Sequence, residues 1–171
     1  MRTNKKQLIV MGGMIFLLAT FVFAEVKTYK VDLDNDGVEE IITAEDKFNT
    51  DFEGVVTIAD LNKNKLGYFT MPDHLTNVEF IILNNDSYKQ VVAWSEGGAH
   101  YTNLSIYGYK DKKLYKLFEN GSACGIETDF KSESPTIKIG KEKWDKEGWS
   151  YVDEPDWEIW NWDGKEFVKN E

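Results

Sequence analysis

The sequence predicts an all-β protein built from antiparallel hairpins, on three observations. Turn signals made of Asn, Asp, Gly and Lys recur along the chain and separate short apolar runs. Aromatic residues make up 14% of the chain and there are only 3 prolines, while no long apolar stripe has the period of a helix. Similar segments also recur about 50 residues apart. These features together predict repeated β-meanders.

The N-terminal segment is predicted to direct export rather than to join the fold. Residues 1–24 place three basic residues before an apolar run that ends at Phe23, and a cleavage is expected between Ala24 and Glu25. The alternative is an uncleaved membrane anchor, because the apolar run is only slightly shorter than the roughly 20 residues that span a bilayer. We therefore expect a secreted, periplasmic or otherwise extracytoplasmic protein whose residues 25–171 form a single domain.

Charge and cysteine content narrow the classes of partner. Three of the 20 Lys and Arg and none of the 30 Asp and Glu lie in residues 1–24, so the rest of the chain carries 17 − 30 = −13. Such a surface repels phosphates and anionic lipids, so we expect no nucleic acid and no membrane partner beyond the possible anchor. The single cysteine, Cys124, excludes an intrachain disulfide. A bound metal is a plausible substitute as stabiliser.

One segment has the pattern of a calcium-binding loop. Residues 32–43 read Asp-Leu-Asp-Asn-Asp-Gly-Val-Glu-Glu-Ile-Ile-Thr, with carboxylates at the first, third, fifth and ninth positions and glycine at the sixth. Ca²⁺ prefers six to eight oxygen ligands from such a curled loop. An EF-hand would require a glutamate at the twelfth position, which is Thr43, and flanking helices. The β-like exit at residues 40–44 instead predicts a loop between two strands.

A metal-free turn is the alternative interpretation, because Asp and Asn are favoured in turns for their own hydrogen bonds to the backbone. Several carboxylates crowded into one loop would repel each other without a cation, however. We therefore predict bound Ca²⁺, with a dissociation constant on the order of 10⁻⁴ to 10⁻³ M, as in other extracellular modules.

The predicted strands follow from the turns. Strands at residues 26–31 and 40–44 flank the calcium loop. Three hairpins are also predicted, from residues 55–58 and 66–71 around 62–65, from residues 104–107 and 114–118 around 110–113, and from residues 157–162 and 166–168 around Asp163-Gly164. The last pair of residues is a strong signal for a two-residue turn.

The calcium loop has a weaker copy at residues 82–93, an offset of 50 residues from residues 32–43. Leu33 matches Leu83, but Asp32 becomes Ile82, and the other ligand positions become Asn84, Asp86 and Gln90. We expect this copy to be a structural turn. The spacing predicts three units, at residues 25–75, 76–122 and 123–171. Because propellers typically need four to eight blades, we expect an open array rather than a closed ring.

The loop, its copy and the Gly-Gly-Ala-His segment at residues 97–100 resemble the FG-GAP and VCBS-type repeat proteins, over residues 31–118. The resemblance implies an extracellular, β-propeller-like module whose Asp-x-Asp-x-Asp-Gly loop binds calcium between strands. It also implies the ligands, which would be the side chains of Asp32, Asp34, Asp36 and Glu40 and the carbonyl oxygen of Val38.

The two histidines do not predict catalysis. His100 follows flexible glycines, and His74 follows Pro72-Asp73 in a predicted loop. A histidine near glycines could act as a general base, but neither one accompanies a nucleophile motif or a second ligand at metal spacing. We expect the glycines to form a turn or bulge between strands.

Five of the six tryptophans lie after residue 140, at Trp144, Trp149, Trp157, Trp160 and Trp162. In a strand, Trp160 and Trp162 share one face, while Trp157 and Ile159 share the other. Such side chains either fill a small core or, where exposed, stack on sugars or grip a protein partner.

The sequence therefore predicts an exported, non-enzymatic calcium-binding β-repeat module with a binding or surface-structural role. Its partner would be a protein or a glycan. A hydrolase or hydrolase inhibitor on the same scaffold is one alternative, which a cleft gathering His100 with Glu96 or Asp86 would favour. A carbohydrate-binding module that uses the C-terminal tryptophans is another.

Overall fold

A computed structural model describes the fold of residues 26–47, 53–83, 88–142 and 155–170. It contains three four-stranded antiparallel sheets, and within each sheet every strand pairs with the next along the chain. The predicted all-β class and the antiparallel meanders of about 50 residues are confirmed. Within the described ranges, no helix has the length and apolar character needed to cross a membrane. The predicted export segment, residues 1–24, lies outside those ranges.

Each sheet is one continuous meander. The first consists of β1 (Val26–Val31), β2 (Glu40–Asp46), β3 (Glu53–Ala59) and β4 (Lys65–Pro72). The second consists of β5 (His74–Ile81), β6 (Gln90–Glu96), β7 (Thr102–Lys110) and β8 (Lys113–Ser122). The third consists of β9 (Ile126–Asp129), β10 (Thr136–Lys141), β11 (Asp156–Trp162) and β12 (Phe167–Lys169).

The first two predicted hairpins are present and show why these turn residues work. Between β3 and β4, the Asp60 carboxylate accepts the backbone N–H and the side-chain amide N–H of Asn64, each at 2.8 Å. Between β7 and β8, Asp111 and Lys112 have φ values of 51° and 59°. Positive φ at both central residues is the geometry that matches a tight hairpin to the twist of its strands.

The third predicted hairpin is also present, but its turn is longer than the two residues that Asp163-Gly164 predicted. Trp162 pairs with Phe167, so four residues connect β11 to β12. The Asp163 carboxylate accepts the N–H groups of Lys165 and Glu166, both at 2.8 Å. That side chain stabilises the wider turn, because it satisfies backbone donors that a two-residue turn would have paired across the strands.

The first and second sheets are joined by one residue. β4 ends at Pro72 and β5 begins at His74, so Asp73 alone reverses the chain. Its φ of 63° lies in the left-handed region, which Asp tolerates better than most residues. His74 was predicted to lie in a loop. This prediction was wrong, because Asp73 alone connects the two strands and His74 is the first residue of β5.

The three sheets stack in an open array, as predicted, with a hydrophobic core in each of the two interfaces. Buried residues of the first core include Leu33, Ile42, Val56, Ile58, Met71, Val91 and Tyr109. Buried residues of the second core include Leu83, Val92, Leu104, Ile106, Ile137, Ile139 and Phe167. Because side chains alternate along a strand, β6 directs Val91 to one core and Val92 to the other. The middle sheet is therefore buried on both faces.

Candidate metal site

The β1–β2 loop, residues 32–39, is curled tightly onto its own carboxylates. Asn35 and Gly37 have φ values of 56° and 86°, so both lie in the left-handed region that reverses a chain within few residues. The backbone N–H of Gly37 donates to Asp32 Oδ2 at 3.0 Å, and that of Val38 donates to Asp36 Oδ1 at 2.7 Å. These bonds fix the side chains of Asp32 and Asp36 to the backbone of their own loop.

The loop brings three of the predicted ligands together. One carboxylate oxygen from each of Asp32, Asp34 and Glu40 lies within 4.8 Å of the others. Asp36 is exposed, does not belong to this group, and already accepts the Val38 N–H. Val38 is 49% exposed. The structure therefore clusters Asp32, Asp34 and Glu40, while ligation by Asp36 and by the Val38 carbonyl stays a prediction of the resemblance.

Two oxygens of this cluster lack a hydrogen-bond donor. Among the described residues, Asp32 Oδ1 and Asp34 Oδ1 are buried and have no partner. A buried acceptor without a partner is unfavourable, and native proteins contain few of them. An additional positive or donating group, such as a cation, would satisfy both oxygens at once.

The surroundings of the cluster also disfavour the ionised form of two of its carboxyl groups. Burial, followed by the charges of Asp36 and Asp32, raises the pKa of Asp34 above its ordinary value of 3.8. Burial and the charge of Asp34 raise the pKa of Glu40 above 4.5, although the hydrogen bond from Leu33 opposes this shift. A nearby cation would favour the ionised form of both groups.

Glu40 has a structural role that the loop pattern did not predict. Its Oε2 accepts the backbone N–H of Leu33 at 3.0 Å in a buried hydrogen bond. Leu33 is fully buried and Glu40 is 6% exposed, so this bond joins the two ends of the loop where water has little access. Glu40 therefore closes the loop in addition to facing Asp34.

The weaker copy of the loop has the same closing bond. Gln90 Oε1 accepts the backbone N–H of Leu83 at 3.0 Å, also in a buried position. Where the first loop has Asp32, the copy has Ile82, which is 49% exposed. Asn84 and Asp86 lie outside the described residues. The two loops also touch, because the backbone N–H of Lys89 donates to the Leu33 carbonyl at 2.9 Å.

A tyrosine of the second sheet shares a core with Leu33 of the first loop, and the loop pattern gave no sign of it. Tyr109 of β7 is 1% exposed and belongs to the core that contains Leu33. Burial and the negative charges of Glu40 and Asp34 raise its pKa to about 12, so the hydroxyl lies in the field of the acidic cluster. Within the part of the chain that the structure describes, this hydroxyl has no hydrogen-bond partner.

Comparisons with known proteins do not assign a family. No protein-family model, no curated protein and no solved structure matches this chain. The resemblance to FG-GAP and VCBS-type repeats therefore stays a prediction that rests on the residues of the loop.

The histidines lie away from this loop. His74 Nδ1 is 3.0 Å from Asp46 Oδ2, in a groove at the end of β2 remote from the β1–β2 loop. The groove also contains Glu96, but not His100, which is exposed in the short 3₁₀ turn Gly98–His100. The Thr76 hydroxyl in the groove donates to the Trp94 carbonyl at 3.3 Å rather than to the imidazole. The groove thus pairs a histidine with a carboxylate, and its hydroxyl is engaged elsewhere.

The tryptophans divide between core and surface, as the strand period predicted. Trp160 and Trp162 pack against the second core, and Trp160 meets Phe118 edge-on at a centroid distance of 5.3 Å. Trp157 is 38% exposed and Ile159 is 37% exposed on the opposite face of β11. Trp144 and Trp149 lie outside the described residues.

Proposed function

We propose that this protein is an exported, non-enzymatic calcium-binding β-repeat module in which Ca²⁺ fixes the turn between β1 and β2. The observation that carries the proposal is the pair of buried, donor-less oxygens, Asp32 Oδ1 and Asp34 Oδ1, beside the carboxylate of Glu40. A cation would bind both oxygens and would offset the burial and the negative charges that raise the pKa of Asp34.

Calcium suits this donor set better than a softer metal. The converging ligand atoms are all carboxylate oxygens, and hard cations such as Ca²⁺ prefer oxygen, whereas zinc and copper favour nitrogen or sulfur. The tolerant coordination of Ca²⁺ also suits a loop in which one ligand, Glu40, is held by its bond to Leu33. Asp36 and the Val38 carbonyl would complete the set, as the resemblance implies.

The module would serve a binding or surface-structural role outside the cytoplasm. The apolar N-terminal segment supports export, and the excess of Asp and Glu over Lys and Arg suits a medium rich in calcium. At about 1 mM Ca²⁺ and a dissociation constant of roughly 10⁻⁴ M, binding adds about 1.4 kcal/mol to the free energy of unfolding. Calcium would therefore add a modest amount of stability to a fold that is stabilised mainly by its two hydrophobic cores.

Thermal unfolding tests the proposal with a matched pair of variants. In the wild-type protein, we expect 1 mM Ca²⁺ to raise the melting temperature by roughly 3–6 °C over excess chelator. Asp34→Asn removes one ligand charge from the cluster and should abolish this shift. Asp111→Asn makes the same chemical change in the exposed β7–β8 turn and should leave the shift intact. An unshifted wild-type protein, or an equal shift in Asp34→Asn, would refute the calcium site.

A second candidate function is binding of a glycan or protein partner by the outer face of the third sheet. Trp157, Ile159 and Val168 are each more than a third exposed on strands β11 and β12. Exposed tryptophans stack on sugar rings and anchor protein interfaces. Titration with defined oligosaccharides should quench the fluorescence of the wild-type protein but not of Trp157→Ala. If no oligosaccharide quenches it, the sugar-binding form of this proposal is wrong.

A further inference from the structure

The buried tyrosine between the first two sheets has an unused hydroxyl. The ring of Tyr109 belongs to the core formed by Leu33, Ile42 and Val91, so packing alone explains its aromatic part. Packing does not explain the hydroxyl, which a phenylalanine would lack and which has no hydrogen-bond partner among the described residues. A buried hydroxyl without a partner opposes folding unless something else satisfies it.

The hydroxyl belongs to a side chain that shares a core with Leu33, the residue between Asp32 and Asp34. Glu40 and Asp34 contribute the largest charges that act on it, and Asp34 Oδ1 is itself without a donor. The backbone bond from Lys89 to the Leu33 carbonyl brings the start of the second sheet's β6 against the calcium loop. Tyr109 lies on the adjacent strand, two residues beyond Tyr107, which pairs with Val91. Two unpartnered carboxylate oxygens of the first loop and one unpartnered hydroxyl of the second sheet therefore lie at the same interface between these sheets.

We propose that Tyr109 is a positioning residue that closes the cation site from the second sheet, so that Ca²⁺ binding ties the first sheet to the second. The tyrosine oxygen accepts a hydrogen bond from a water on the cation, and its O–H donates to a carboxylate of the cluster. Partners of this kind orient the ligands of a metal and raise its affinity. This inference rests on the calcium site proposed above.

The weaker loop offers an internal contrast. Trp160 pairs with Ile137 as Tyr107 pairs with Val91, so Trp162 of the third sheet corresponds in register to Tyr109. Trp162 packs against the core that contains Leu83, as Tyr109 shares a core with Leu33. An indole can donate a hydrogen bond but has no lone pair to accept one from a cation-bound water. The hydroxyl of Tyr109 is thus found beside the loop with the clustered carboxylates, whereas the weaker copy has an indole at the corresponding position.

Calorimetric titration with CaCl₂ tests the inference on four proteins, the wild type, Tyr109→Phe, Tyr107→Phe and Asp34→Asn. Tyr109→Phe removes one oxygen and keeps the ring, and we expect a loss of calcium affinity of about tenfold or more. Tyr107→Phe is the matched control, because Tyr107 lies on the same face of β7 but stacks on Phe69 at 4.1 Å. Its calcium affinity should stay within about twofold of the wild type.

Melting temperatures separate a role at the cation from a role in packing. In chelator, Tyr109→Phe should melt at or above the wild-type temperature, since the change removes an unsatisfied hydroxyl. In calcium it should melt below the wild type. A tyrosine that serves only packing would lower both temperatures equally, and that result would overturn the inference.

The titrations also separate this inference from the proposed function. If the wild type binds calcium, Asp34→Asn binds it weakly and Tyr109→Phe matches the wild type, the calcium site stands and the role of Tyr109 is wrong. If the wild type does not bind calcium, both proposals fail.

Discussion

The β1–β2 loop and the β5–β6 loop are closed by matching hydrogen bonds, but only the first clusters three carboxylates in the described residues. Both place a buried leucine at the second position and a side-chain acceptor at the ninth, joined by a hydrogen bond of 3.0 Å. In the first loop the acceptor is a carboxylate beside two other carboxylates. In the second it is a neutral amide, and the first position is the exposed Ile82.

The shared hydrogen bond gives the ninth position a structural role that does not depend on a cation. An amide oxygen accepts a backbone N–H as well as a carboxylate does, so the copy has the closing bond without a charge at its ninth position. The negative charge of Glu40 is the part that closure does not require. Burial and the charge of Asp34 raise the pKa of Glu40, so a nearby cation would favour the ionised form of this carboxyl group.

The largest effect should come from removing the acceptor in each loop. Glu40→Ala and Gln90→Ala both leave a buried leucine N–H without a partner, and each should lower the free energy of unfolding in chelator by about 1–3 kcal/mol. Urea titration measures this loss. Calcium should then distinguish them, since Gln90→Ala keeps the calcium-dependent increase and Glu40→Ala loses it. If Gln90→Ala leaves the free energy of unfolding unchanged, the hydrogen bond does not stabilise the loop.

A smaller effect should come from giving the first loop the residue of the second. Glu40→Gln keeps an acceptor for the Leu33 N–H and removes one negative charge from the cluster. We expect a calcium affinity about tenfold weaker, or about 1.4 kcal/mol, together with equal or higher stability in chelator. Calorimetry and urea titration check the two halves separately. If the variant loses stability in chelator, the amide does not replace the carboxylate as this comparison requires.

The smallest effect concerns pH. Because the folded protein raises the pKa of Asp34 and Glu40, their contribution to stability in chelator is fully present below the ordinary values of 3.8 and 4.5. It is lost as the pH rises through the raised values. Calcium binds the ionised carboxylates, so the calcium-dependent rise in melting temperature should grow between about pH 4 and pH 7.

Glu40→Gln is the matched control for this pH dependence, because it removes one of the two titrating groups and should flatten the profile in chelator. The second loop has the neutral Gln90 at the corresponding position and adds no such titration there. A calcium-dependent shift of equal size at pH 4 and at pH 7 would contradict the assignment of the site to these carboxylates.

Turn chemistry is the reason that much of the fold could be predicted from sequence. Asp60 and Asn64, like Asp111 and Lys112, satisfy the demands of their hairpins locally, so neighbouring residues reveal the strands on either side. The one-residue connection at Asp73 could not be anticipated, because a single left-handed residue links two strands of different sheets where the sequence has no recognised turn motif. Strands β5, β6, β9 and β10 were not predicted individually.

The candidate site divides in the same way. Asp32, Asp34 and Glu40 could be chosen from spacing alone, because one short loop supplies them all. The closing bond to Leu33 had a visible signal, which is the pairing of leucine at the second position with Glu or Gln at the ninth in both copies. Tyr109 had no such signal, since only the packing of the second sheet on the first brings β7 to the loop.

A crystal structure of the protein in about 10 mM CaCl₂, well above the expected dissociation constant, tests the calcium site most directly. The account predicts an anomalous peak at about 2.3–2.6 Å from carboxylate oxygens of Asp32, Asp34 and Glu40, with Glu40 still accepting the Leu33 N–H. The loop at residues 82–90 should show no such peak. A calcium-soaked crystal without a peak in the first loop would contradict the account.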